Sequence, residues 1–243
     1  MGRLISNLGS HSVPLAIFDL DNTLLAGDSD YGWGRFLVDQ GMVDGAAYER
    51  ENLRFYQEYQ AGNLDILEYL SFSLAPLSRI DPTQLAHLQR QFLAEVVRPM
   101  ITGASRQVLD LHRARDDTLL IITATNTFIT APIAQELGVD LLIATEAEQR
   151  EGRYTGRVAG TPCYQIGKVE RLLDWLRQTG NNLAESWFYS DSHNDLPLLE
   201  MVTHPVAVDP DETLSDHADA RSWPEISLRG TEIRLIRGNW NLV

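Results

Sequence analysis

Short unbroken apolar runs alternate along this chain with longer stretches in which apolar residues return every three or four positions. Residues 13–18, 119–122 and 187–189 have the length and composition of strands buried within a sheet. Each run ends in acidic or small hydroxyl residues: Asp19 and Asp21, then Thr123 to Asn126, then Ser190 to Asp195. Helical spacing follows the second run, with Phe128, Ile129, Ile133 and Leu137 before a Gly138 stop. Val169, Leu172, Leu173 and Leu176 make one face of another helix, with Lys168 in its first turn. Polar groups at strand ends, each just ahead of a helix, are where open α/β sheets place their ligands.

Residues 28–100 are far too long for a connection inside a compact domain. Tyr31, Phe36, Leu37, Tyr48, Phe55, Leu70, Leu85, Leu88 and Phe92 recur there at helical spacing, with breaks expected at Gly41, Gly45, Gly62-Asn63, Pro76 and Asp81-Pro82. This predicts a four- or five-helix insert, with hinges at Ala26-Gly27 and near 99–103. Tyr31 and Trp33 near the first hinge either line an entrance or pack into the core. Residues 148–158 read as a hairpin turning at Glu151-Gly152, with a solvated face, and 230–240 as an edge strand or tail.

Composition narrows the classes. A chain of 243 residues that is 44% hydrophobic can bury one core plus an insert. Its net charge of −14 argues against nucleic acid as a partner, and the same field repels a free phosphate ester, so any such ligand needs local cations or dipoles. One cysteine, Cys163, makes no internal disulfide and reads as a packed small residue, which suits a reducing cytoplasm. Residues 1–12 hold no signal-peptide pattern, and no run reaches the ~20 apolar residues of a membrane span. The sequence leaves the oligomeric state open.

The candidate chemistry starts at Asp19-Leu20-Asp21-Asn22-Thr23. Carboxylates at i and i+2 project the same way from an extended strand and repel each other unless a cation lies between them or one is protonated. The pair therefore points to a magnesium-like ion, one nucleophilic carboxylate and one acid/base carboxylate. A calcium loop is excluded because Leu24 stands where its turn needs glycine. Thr123, just before a helix N-terminus, suits a phosphate, whereas Thr125 and Asn126 read as helix caps. Lys168 opposes its own helix dipole, which implies a compensating anion. Asp191 supplies a further metal oxygen, and Asp195 either accepts a hydrogen bond from Lys168 or caps a helix. His193 suits a Mg²⁺ site poorly, and the other histidines have no zinc spacing.

These four motifs, in this order from Ile17 to about Val208, resemble the haloacid dehalogenase superfamily of hydrolases, close to the phosphoserine phosphatase-like subclass with a helical cap. The resemblance implies a Rossmann-like three-layer α/β core with a parallel sheet, residues 1–27 and 101–243, and an inserted all-α cap, residues 28–100. It implies a Mg²⁺-dependent phosphatase for a small alcohol phosphate such as histidinol phosphate or phosphoserine. Asp19 would be the nucleophile and phosphoaspartate carrier, and Asp21 the acid and base. Thr123, Ala124, Lys168 and Asn194 would bind the substrate, and Asp195 would support them. Asp191, Asp19 and the Asp21 main-chain carbonyl would hold the metal. The subclass has a glutamate where this chain has Asp28, which either meets a substrate amine or caps a cap helix. Phosphoryl transfer to another alcohol, or a lipid-headgroup substrate, uses the same residues. A receiver-like regulatory module expects its phosphorylated Asp on a later strand and no long insert.

Overall fold

The computed structural model describes residues 13–242. The segment 1–12, read above for a leader, lies outside the described residues. Eight strands form one sheet: β1 (Leu15–Phe18), β2 (Thr118–Asn126), β3 (Leu141–Arg150), β4 (Arg153–Ala159), β5 (Trp187–Ser190), β6 (His204–Val208), β7 (Glu225–Ser227) and β8 (Arg234–Arg237). Their order is β4-β3-β2-β1-β5-β6-β7-β8. The strands from β3 across to β7 are parallel, while β4 and β8 pair antiparallel at the two edges. Residues 234–237 are thus an edge strand.

Both faces of the sheet are covered, which explains the continuous apolar runs. Ala16 and Phe18 of β1 point to one cluster with Ile121, Tyr189, Val108, Leu109, Ile129 and Ile133. Leu15 and Ile17 point to the other, with Leu120, Phe188, Leu172, Leu176, Leu198 and Leu214. Helices α5 (Gly103–Arg113) and α6 (Thr127–Leu137) supply the first layer, and α7 (Ile166–Thr179), α8 (Leu196–Leu199) and α9 (Glu212–Arg221) the second. Buried Cys163 packs with this second layer, and burial pushes its thiol up to about 12, leaving it unreactive.

Between β1 and β2 lie α1 (Ser29–Asp39), α2 (Gly45–Gln60), α3 (Ile66–Arg79) and α4 (Pro82–Phe92). Asp28, Asp65 and Asp81 cap α1, α3 and α4 by accepting backbone N–H bonds. Pro76 does not break the chain as expected. It sits buried inside α3, where its packing outweighs the lost backbone donor, and its carbonyl still accepts from Ile80 N. The hairpin also differs from expectation: Glu151 and Gly152 make the turn with φ of 51° and 76°, but β4 lies against α3, with Gly156 facing Ala75 and Ser78. Trp33 is buried, not at an entrance, and stacks edge-on against Phe92 and Phe128 at 5.2 Å each.

A buried polar relay crosses the first layer. His112 Nδ1 lies 2.7 Å from Asp117 Oδ2, its Nε2 lies 2.8 Å from Tyr189 Oη, and Trp240 Nε1 donates to the same hydroxyl at 3.3 Å. Burial, opposed by Asp117, holds the His112 pKa below its ordinary value. In the unfolded chain His112 takes its proton at about 6.5, but the folded state resists it, so stability falls as pH drops below that value. We expect His112→Gln to lower unfolding free energy by about 2–4 kcal/mol, because Asp117 and Tyr189 lose a buried partner. Urea unfolding at pH 7.5 and 5.5 should show that loss shrinking on acidification; an unchanged difference would exclude the relay as its source.

Candidate active site

Phe18 pairs with Ile121 on one side and Tyr189 on the other, so the three strand tips end at one level. Asp19 follows directly, its N–H donating to Tyr189 O at 2.9 Å. The next turn is bent by Asn22 at φ 56°, a conformation asparagine tolerates, with Asn22 N bonded to Gly27 O. The Asp21 side chain is held from the other side: its Oδ1 accepts from Ser29 N at 2.6 Å and its Oδ2 from Thr125 Oγ1 at 2.7 Å.

Lys168 is 2% exposed and its Nζ donates to Asp19 Oδ1 and Asp195 Oδ2, both at 2.7 Å. Burial works against its charge, but Asp19 and then Asp195 outweigh it and hold the ammonium well above the usual lysine range. Asp195 also accepts from Ser190 Oγ at 2.7 Å and makes no capping bond to α8. Thr23 Oγ1 donates to Asp191 Oδ1 at 2.9 Å and lies 3.4 Å from Asp19 Oδ2, so one hydroxyl spans both carboxylates. Thr123 Oγ1 accepts from Thr125 N at 3.2 Å, and Asn126 caps α6 through Ile129 N.

The acids resist ionisation here. Burial, partly offset by Lys168, pushes Asp19 up to about 7; burial and then the Asp28 charge bring Asp21 to about 7. Asp191 is raised well above the ordinary carboxylate range by burial and by Asp19. A hard dication beside Asp19 and Asp191 would reverse that penalty, and carboxylate and carbonyl oxygens suit Mg²⁺. Among the described residues no three His, Cys, Asp or Glu side chains gather as a cage. The Asp21 side chain, turned to Ser29 and Thr125, is not part of such a set.

Over the strand tips α1, α2 and α3 complete a pocket. Asp19, Asp21, Thr123, Ala124 and Thr125 form its floor, and Asp28, Asp30, Tyr31, Phe55, Tyr56, Tyr59 and Tyr69 its walls. Asp28 both caps α1 through Tyr31 N, at 2.8 Å, and lines this pocket. Confinement away from water, then Asp30 for Asp28 and against Tyr69 for Asp30, raises both acids to about 7. The lining includes no Lys or Arg among the described residues. The sequence assigns no role to Thr23, Ser190 or Asp30, and to Thr125 only that of a cap; lone hydroxyls near a motif carry no periodic signal, and Asp30 resembles an ordinary first-turn acid.

This is the site of a hydrolase built on an open α/β sheet. The family model of haloacid dehalogenase-like hydrolases matches residues 16–200, and the chain belongs to that family. It is 44% identical over 219 residues to a histidinol-phosphatase of Neisseria meningitidis serogroup C, covering 88% of this chain and 99% of that protein. It is 29% identical to phosphoserine phosphatase SerB1 of Mycobacterium tuberculosis, over 86% of this chain and 68% of that one. A Bordetella pertussis Tohama I protein of unknown function superposes with a TM-score of 0.84 at 44% identity, covering 89% of this chain and 99% of that chain. A substrate-bound phosphoserine phosphatase, at 18% identity and a TM-score of 0.66 over 90% and 94%, shares the fold. No described helix is long and apolar enough to cross a membrane.

Proposed function

We propose that this chain is a Mg²⁺-dependent phosphatase that hydrolyses the phosphate ester of a small cationic alcohol, histidinol phosphate in preference to phosphoserine, with residues 28–100 acting as a cap over the core. The observation that carries this reading is that Asp28 and Asp30 both face an aromatic pocket whose lining, among the described residues, holds no Lys or Arg. An ammonium and an imidazole meet acids and tyrosine faces there, whereas the carboxylate of phosphoserine meets repulsion. The 44% identity to a histidinol-phosphatase agrees.

Asp19 attacks phosphorus, forming an acyl phosphate as the bond to the leaving oxygen breaks. Asp21, with a pKa near neutrality, gives its proton to that oxygen. The resulting carboxylate then takes a proton from water, which attacks phosphorus and frees Asp19. Lys168 and the main chain at Thr123 and Ala124 neutralise the phosphoryl oxygens, and Asp195 with Ser190 fixes the lysine. Asp19, Asp191 and the Asp21 carbonyl would hold Mg²⁺, which supplies charge neutralisation for the same oxygens.

Asp30→Asn tests the leaving-group reading. KM for histidinol phosphate should rise about 10- to 100-fold, the worth of one hydrogen bond to a charged group, while turnover of p-nitrophenyl phosphate changes little. Equal losses on both substrates, or faster wild-type turnover of phosphoserine, would refute it.

A further inference from the structure

The turn that ends α2 is gripped from the core. Asn194 Nδ2 donates to Tyr59 O at 3.1 Å, and Gln165 Nε2 reaches Gly62 O at 3.5 Å and Asn194 Oδ1 at 2.9 Å. Tyr164 Oη closes the group by donating to Asn194 Oδ1 at 3.2 Å. Tyr59 lies in the last turn of α2 and Gly62 two residues past its end, so the two amides hold the chain on either side of the helix terminus. From the other side His193 is fixed by Asp211, which accepts from its main-chain N and lies 2.8 Å from its Nδ1. Its Nε2 stands so close that a Cβ on Gly62 would come within 2.5 Å.

Each gripping residue adjoins a phosphate-site residue. Asn194 precedes Asp195, and Gln165 stands just ahead of the turn that presents Lys168. Gln165 also holds φ 47° and ψ −118°, a backbone state that a residue with a side chain keeps only when its surroundings impose it. Tyr59 and Tyr56, which wall the pocket, ride on the helix that these contacts hold.

We propose that Gln165 and Asn194 form a clasp that docks the C-terminal end of α2 on the core, with Gln165 a positioning residue for the leaving-group wall rather than for Lys168 or Asp195; this rests on reading the site as a phosphatase. An ester whose leaving group reaches α2 feels the clasp. A small aryl phosphate, held mainly at the strand tips, feels it little.

The test compares wild type with Gln165→Ala. Hydrogen exchange over 59–66, without ligand, should speed up at least about fivefold, and KM for histidinol phosphate should rise about tenfold with kcat little changed, as expected for losing one to two hydrogen bonds. Turnover of p-nitrophenyl phosphate should stay within about twofold. Gly62→Ala, strained at φ 71° and pressed by His193, should loosen the same turn, and His193→Ala in that background should recover only the share due to the clash. The Gly62 series decides alone if Gln165→Ala does not fold. Unchanged exchange over 59–66 or parallel losses on both substrates would overturn the clasp. A wild type that hydrolyses neither ester defeats the phosphatase reading, while the exchange comparison still decides the clasp.

Discussion

Asp19→Asn yields a folded protein whose turnover of both histidinol phosphate and p-nitrophenyl phosphate falls by about 10⁴-fold or more, the scale seen when a covalent nucleophile is removed. The fold survives because an asparagine oxygen can still accept from Lys168 and the backbone bond to Tyr189 O is untouched. Its unfolding midpoint stays at or slightly above that of wild type, since the substitution removes one of several buried carboxylates that burial already disfavours. Activity, thermal unfolding and mass spectrometry of quenched turnover mixtures check this together. Wild type should show a phosphoryl adduct on the peptide holding Asp19, and the variant none. Retention of more than about a hundredth of the activity would remove Asp19 from the nucleophile's role.

The sequence made the frame of this site legible because its main parts sit at strand ends. A run such as Leu119 to Ile122 is long enough to declare a buried strand, and whatever follows it must lie at the sheet's ligand edge. Lys168 stood out because it opposes a dipole. Asp195 remained ambiguous between cap and partner, since both roles need the same residue at the same place; only the 2.7 Å bond to Lys168 separates them. Thr125 read as a cap but bonds Asp21, while the cap is its neighbour Asn126. The grip of Asn194 and Gln165 on Tyr59 O and Gly62 O was not legible at all. Its acceptors are main-chain carbonyls more than 100 residues away, and these have no sequence signature. Pro76 was misread for a related reason, because burial in α3 overrides a local propensity.

Lys168→Met is the second large effect, and its pH dependence separates charge from shape. Among the described residues Lys168 is the cation bonded to both Asp19 and Asp195, at 2.7 Å each, and all three side chains are nearly inaccessible. Methionine fills a similar volume but leaves two buried carboxylates facing one another, a change that costs about 3–5 kcal/mol when neither is protonated. Phosphate capture goes with the charge, so kcat/KM drops about 10³-fold. Asp19 already lies near 7 in the native protein, and losing the lysine that holds it down drives it higher. A carboxyl whose folded pKa exceeds its unfolded one keeps its stability at low pH and loses it as pH rises towards the folded pKa. The stability gap between variant and wild type is therefore narrower at pH 5.5 than at pH 8 in urea unfolding. Adding Asp195→Asn to Lys168→Met regains part of the stability and none of the activity, because one unpaired charge is gone while the phosphoryl cation is still missing. A gap that is the same at both pH values would mean that Lys168 acts by packing, and its place as the phosphate-binding cation would fall with it.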